Sequence, residues 1–191
     1  METKILPFKR LMMERENLLA RKILLSIAMA VVTGLLAGIR IPLPFTPIPL
    51  TGQVLGVLLA GIFLEGSFAG LSQALYLLIG LSGIPWFSGW SSISFATFAV
   101  TPTSGYLVGF IPAAFLVGKL EHNGSRMNII RHAIAFFSGI LVLYCFGAAH
   151  LATILHTGFQ RTLVLAVYPF IFFDFLKALL AASFVSAFRK V

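Results

Sequence analysis

The chain has 191 residues, 59% of them hydrophobic and 10% charged, with a formal net charge of +8. Ordinary soluble domains carry about 25% charged residues, so the composition excludes a soluble globular protein and indicates one integral membrane domain with no length left for a soluble enzymatic module. The positive balance then reflects membrane topology rather than a nucleic-acid partner.

Residues 1–22 read as a basic cytoplasmic leader, amphipathic and containing Lys4, Lys9, Arg10, Arg15, Arg21 and Lys22. It runs into a first apolar span at 23–39. No convincing small-residue cleavage site follows, which predicts an uncleaved span rather than a secretory signal. The proline-rich run 41–49 cannot be regular helix, because each proline removes a backbone donor, and is read as a connection. The spans at 54–64 and 67–81 are short and divided at Glu65-Gly66. They are either two tilted, partly shielded helices or one long broken element. Glu65, the sole charged side chain between Ile41 and Gly118, is read as an inner turn residue.

Residues 82–104 follow, rich in Gly, Ser, Pro and aromatic residues. Loops this long in compact domains are functional or disordered, and Trp86, Phe87, Trp90, Phe95 and Phe98 favour an ordered outer lid. A fourth span is predicted at 105–118, a fifth at 129–155 and a sixth at 164–188, before a basic cytoplasmic tail at 189–191. The expected fold is therefore an all-α membrane protein, with six transmembrane helices over 23–188 and both termini cytoplasmic. Charge placement agrees: eleven Lys and Arg fall inside (six in the leader, then Lys119, Arg126, Arg131, Arg189 and Lys190), against Arg40 and Arg161 outside. The lid and the proline-rich connection then face outward, and inward transport is the natural direction.

The sixth span carries the sharpest chemical signal. Asp174 and Lys177, three residues apart, share one helical face, and an ionisable group at bilayer depth costs roughly 2.5 to 3.5 kcal/mol. Two readings stand: mutual neutralisation inside the bundle, or a polar floor for a ligand, with Phe172, Phe173 and Phe175 as its apolar walls. Other features are weaker. His150 and His156 are six apart, a spacing unlike the i, i+4 pair of helical metal ligands, and no metal or cofactor is expected. Gln73 and Tyr76 share a face of the third span and suit helix–helix contacts. The lone Cys145 excludes an internal disulfide. No nucleophile–base set is recognisable at depth, so no enzyme activity is expected. No G-x-x-x-x-G-K-[ST] occurs, so transport would draw its energy from partners or a gradient.

Taken together, Ile39-Arg40-Ile41-Pro42-Leu43-Pro44, Thr51-x-Gln53, Val57-Leu58-Leu59-Ala60-Gly61, Leu71-Ser72-Gln73-x-Leu75-Tyr76-Leu77-Leu78-x-Gly80-Leu81-x-Gly83-Ile84-Pro85-x-Phe87, Pro102-Thr103-Ser104-Gly105-Tyr106-Leu107-x-Gly109-Phe110 and Asp174-x-x-Lys177 form an ordered series. In that order the chain resembles the BioY family, the biotin-specific substrate-binding (S) components of energy-coupling factor (ECF) transporters. It departs from the family at Ser88-Gly89-Trp90-Ser91-Ser92, where a more glycine-rich stretch is usual, and at Ser104, where glycine is usual. The resemblance implies biotin capture and uptake at the cell membrane, with a membrane transducer and a pair of ATPases as partners; a solitary gradient-driven carrier, or an S component for a related vitamin, is the alternative. It places Asp174 on a ureido N–H and Lys177 on the ureido oxygen or on Asp174. Trp86, Phe87 and Tyr106 would cover the bicyclic ring, with Trp90 and Ser91 as further biotin contacts from the lid, while Gln53 binds either ligand or local backbone. Ala28, Ala30 and Gly34 on the first span would dock the transducer, or serve internal packing.

Overall fold

A computed structural model describes residues 5–122 and 129–188, with side chains over 14–122 and 131–183. Lys4, Arg126, Arg189, Lys190 and the 189–191 tail lie outside the described residues. Helix α1 (Ile5–Ala37) is followed by the short antiparallel strands β1 (Arg40–Ile41) and β2 (Leu50–Thr51), then α2 (Gln53–Phe63), α3 (Gly66–Leu81), the single turn α4 (Phe95–Phe98), α5 (Ser104–His122), α6 (Ile129–Leu155), α7 (Phe159–Ala166) and α8 (Tyr168–Phe188).

Helix α1 is continuous from Ile5 to Ala37, across the expected boundary between leader and first span. Its burial pattern is inverted relative to a soluble helix. Leu24 and Leu35 are 66% and 63% exposed, whereas Ser26 and Thr33 are fully buried. Each hydroxyl donates to the carbonyl one turn back, Ser26 to Lys22 and Thr33 to Met29. Large apolar side chains facing outward over a small and polar interior is the arrangement lipid favours, since hydrocarbon gives no reason to hide leucine while small residues let helices approach closely. Among the described residues, two helices are long and apolar enough to cross a membrane, Glu14–Ala37 and Arg131–Leu155, with a third if the bent pair Phe159–Ala166 and Tyr168–Ser183 counts as one.

The second and third elements are separate helices. Leu64 and Glu65 are extended, and a Cβ on Gly66 would sit 2.9 Å from the Phe115 carbonyl oxygen, so the chain turns and packs directly on α5. Eleven residues give α2 a length of only about 16 Å, short of a hydrocarbon core. Glu65 is a turn residue, as its position suggested, and accepts from the Lys22 ammonium at 2.8 and 2.9 Å. That bond holds its carboxyl below the ordinary carboxylate range. The associated stability is present above the unfolded pKa and lost as pH falls through the lower folded value; both groups are partly exposed, so it is small.

Helix α5 is central, packing on α2, α3 and α6. The expected sixth span, 164–188, takes in the end of α7 and all of α8, two helices bent by 42°. Pro169 in the first turn of α8 has no N–H to offer the Leu165 carbonyl, and Val167 leaves helical geometry at φ −125°, ψ −61°. Residues 82–104, the expected lid, pack back against the end of α1. Phe87 and Ser91 form an isolated antiparallel bridge around a tight turn in which Gly89 and Trp90 take positive φ, and the Gly89 N–H donates to the Ala37 carbonyl at the end of α1.

Candidate functional site

The lid is fastened by aromatic side chains set against helix glycines. A Cβ on Gly34 would lie 2.7 Å from the Trp86 ring, one on Gly38 2.7 Å from the Trp90 ring, and one on Gly80 would overlap the Phe87 ring. Gly34 on α1 and Gly38, directly after its end, are four residues apart and seat the two lid tryptophans. Hydrogen bonds complete the attachment. Gln53 Nε2 donates to the Tyr76 hydroxyl at 2.7 Å, and Tyr76 donates to the Trp86 carbonyl at 3.0 Å. The Trp86 indole N–H returns to the Tyr76 carbonyl at 3.0 Å.

Beneath the lid lies a cavity lined by the proline-rich connection (Ile48, Pro49, Thr51), the start of α2 (Gln53, Val54), the lid (Phe87, Ser88), the α5 approach (Thr103, Tyr106), α6 (Leu143, Tyr144) and α8 (Phe170, Asp174, Lys177). Most of this wall is apolar. Its charged spot is the pair from the last helix, with Lys177 Nζ 2.7 Å from Asp174 Oδ1. Asp174 is 3% exposed, and its other oxygen accepts from the Tyr144 hydroxyl at 2.8 Å. Ionised, a carboxylate has about four acceptor positions and an ammonium three donors. One donor on each Asp174 oxygen leaves acceptor capacity free, and Lys177 keeps donors to spare. The site thus offers an adjacent acceptor and donor to one planar polar group, with apolar surface around it.

Five of the residues singled out in the sequence line this cavity: Asp174, Lys177, Phe87, Tyr106 and Gln53. Trp86, Trp90 and Ser91 do not. The Trp86 ring turns toward α1, Trp90 is 62% exposed, and Ser91 donates to the Ser88 carbonyl at 2.9 Å on the outside of the turn. The Gln53 side chain, besides donating to Tyr76, accepts from the Thr51 hydroxyl at 2.9 Å. Gln73 makes the interhelical contact its position suggested, donating to Thr33 on α1 at 3.2 Å.

The expected phenylalanine walls are corrected. None of the three lines the cavity: Phe172 and Phe173 are 70% and 39% exposed, Phe175 is 45% exposed and stacks on Phe137 of α6, and the face of α8 that carries Asp174 holds Phe170 and Ala178 instead. Small residues of the first span divide in the same way. Ala30 and Gly34 are buried inside the bundle and Ala28 is exposed.

Sequence reasoning missed Tyr144 and Ser88. The first had a signal, a tyrosine in the interior of an apolar span that needs a partner for its hydroxyl. The second had none, since Ser88 is one of several lid serines, yet its hydroxyl is buried at the cavity wall with no hydrogen-bond partner.

Comparison with known proteins agrees with this architecture. The model of the BioY family matches residues 8–191. The biotin transporter BioY of Rhizobium etli is 37% identical, over 81% of this chain and 84% of the relative. The biotin transporter BioY of Thermotoga maritima is 30% identical, over 82% and 90%. The crystal structure of the S-component for biotin from an ECF-type ABC transporter superposes with a TM-score of 0.80 at 26% identity, covering 92% of this chain and 94% of the other.

Proposed function

This chain belongs to the BioY family, and from that premise we propose that it is the biotin-capturing S component of a vitamin transporter, an integral membrane protein and not an enzyme. The observation that carries the reading is the Asp174, Lys177 and Tyr144 cluster set in the apolar wall of a lidded cavity. Biotin is a fused bicycle whose ureido group offers two N–H donors and one carbonyl acceptor, joined to an apolar chain. Asp174 accepts a ureido N–H and Lys177 donates to the ureido oxygen while retaining Asp174. Phe87 and Tyr106 close on the rings. An apolar guest without the ureido group would leave buried polar groups unpaired at about 1 to 3 kcal/mol each, which gives the site its selectivity.

The test is binding to purified protein. Desthiobiotin keeps the ureido ring and is expected to compete with biotin, whereas riboflavin is not. Equal binding of riboflavin, or none of biotin, overturns the reading.

We further propose six membrane passes, with α2 and α3 as short shielded passes, α5 as a fourth and α7–α8 as one broken pass. Both termini are cytoplasmic and the lid is outside. Lys22, Glu65, Lys119 and His122 gather at the inner end, where neighbouring clefts share Glu65 and His122, and the Arg40 side chain packs on the lid at Gly89. In a Cys145→Ser background, an impermeant thiol reagent applied outside is expected to label Ser91→Cys and spare Ser67→Cys; the opposite pattern inverts the topology. Transport energy comes from a transducer and an ATPase pair, docked on the lipid-facing side of α1. Ala28 is exposed there beside Leu24, Ile27 and Val31, on the side of the helix away from the buried Ala30 and Gly34.

A further inference from the structure

The break between α7 and α8 frees two carbonyls. In an unbroken helix the Leu165 oxygen would accept from residue 169, which is proline, and the Ala166 oxygen from Phe170, whose N–H instead goes to Val167 at 3.0 Å. Both are taken up by other elements. The Tyr106 hydroxyl of α5 donates to Ala166. The Thr46 hydroxyl of the proline-rich connection donates to Leu165 at 2.6 Å, and the same oxygen accepts from the Ile48 N–H at 3.3 Å. Thr46 does not line the cavity, but Ile48, two residues on, does. Ile48 packs in one buried cluster with Ala166 and Phe170, on either side of the break.

We propose that Thr46 is a positioning residue, a latch that fastens the cavity-covering proline-rich loop to the broken helix whose second half carries Asp174 and Lys177. Pro169 makes the latch available by leaving a carbonyl for it to hold. With the hydroxyl bonded, Ile48 is pressed onto Phe170 and the loop side of the cavity is shut; without it, only apolar contact retains the loop.

The test has a ligand readout, which rests on the biotin reading, and one that does not. Thr46→Val keeps shape and removes the donor, so biotin dissociation from monodisperse protein is expected to accelerate at least about fivefold, while Thr46→Ser holds the parent rate. Thr46→Val combined with Pro169→Ala supplies the Leu165 carbonyl with a helical N–H but does not refasten the loop, so dissociation stays fast. Recovery of the slow rate in that double variant would show a local carbonyl cap and overturn the latch, as would a Thr46→Ser variant as fast as Thr46→Val. Without ligand, Ile48→Cys in the Cys145→Ser background is expected to react slowly with an impermeant thiol reagent, and at least about fivefold faster once Thr46→Val is added. Equal labelling rates sink the latch even where biotin binds well. A parent that binds no biotin while the labelling contrast holds removes the biotin reading alone.

Discussion

Asp174→Ala is expected to abolish high-affinity biotin binding, with a loss of at least about a hundredfold, roughly 2.7 kcal/mol. The change removes an acceptor for the ligand and also strips Lys177 and Tyr144 of their shared partner inside the bundle. Breaking one side of a buried ion pair costs about 3–5 kcal/mol through the charge left behind, so folding is a confounder. The control is Asp174→Leu with Lys177→Met. Neutralising both charges removes the buried-charge penalty, so this double variant is expected to purify as monodisperse protein with parent-like thermal stability and still bind no biotin. Lys177→Ala is expected to lose less, at least about tenfold, because Tyr144 continues to hold Asp174. A well-folded double variant that binds like the parent would make the pair structural and the assigned site wrong.

Gly34→Leu is expected to weaken biotin binding at least about tenfold through a residue that touches no ligand, because overpacking of this kind costs about 1–3 kcal/mol. Its Cβ alone falls 2.7 Å from the Trp86 ring. To make room, Trp86 must leave the seat where its indole N–H and its carbonyl both bond Tyr76, and Phe87 follows it off Gly80 and away from the cavity. Gly80→Ala is expected to act in the same direction, since Phe87 fills that space directly. Ala28→Leu supplies the contrast. Its position on the exposed side of α1 leaves the lid seats untouched, so biotin binding is expected to stay at the parent value while ATP-dependent uptake and recovery of a transducer complex fall. Parent-like binding in Gly34→Leu would detach the lid from the site. Unchanged uptake in Ala28→Leu would move the transducer elsewhere or indicate a carrier working alone.

These two glycine and alanine positions show why the docking motif was ambiguous in sequence. Ala30-x-x-x-Gly34 announces that something approaches α1 closely, but the spacing is the same whether the visitor is another protein's helix or this chain's own tryptophan. Gly38, four residues further on, seats a second tryptophan, and only the path of the lid back across α1 identifies the guest. The proline-rich connection was legible as non-helical, yet nothing in its composition shows that Thr46 reaches Leu165, a residue 119 positions away.

Membrane class, the aromatic character of the 82–104 segment and the polar pair on the last helix are decided by the sequence alone. A chain with one charge between Ile41 and Gly118 lacks the charged surface of a soluble domain, and Asp174 cannot sit in hydrocarbon without the partner that the i, i+3 spacing provides. Which apolar side chains face the site was decided by the tertiary structure. Phe170 is 5% exposed and lines the cavity, whereas Phe172 is 70% exposed and faces outward. In water, burial would separate such residues by hydrophobicity. In a membrane, the bundle interior and the surrounding lipid are both apolar, so the sequence carries no contrast between inward and outward phenylalanines. Helix packing supplies it: beyond the 42° break at Val167, α8 presents Phe170, Asp174 and Lys177 to one cavity with Tyr144 of α6.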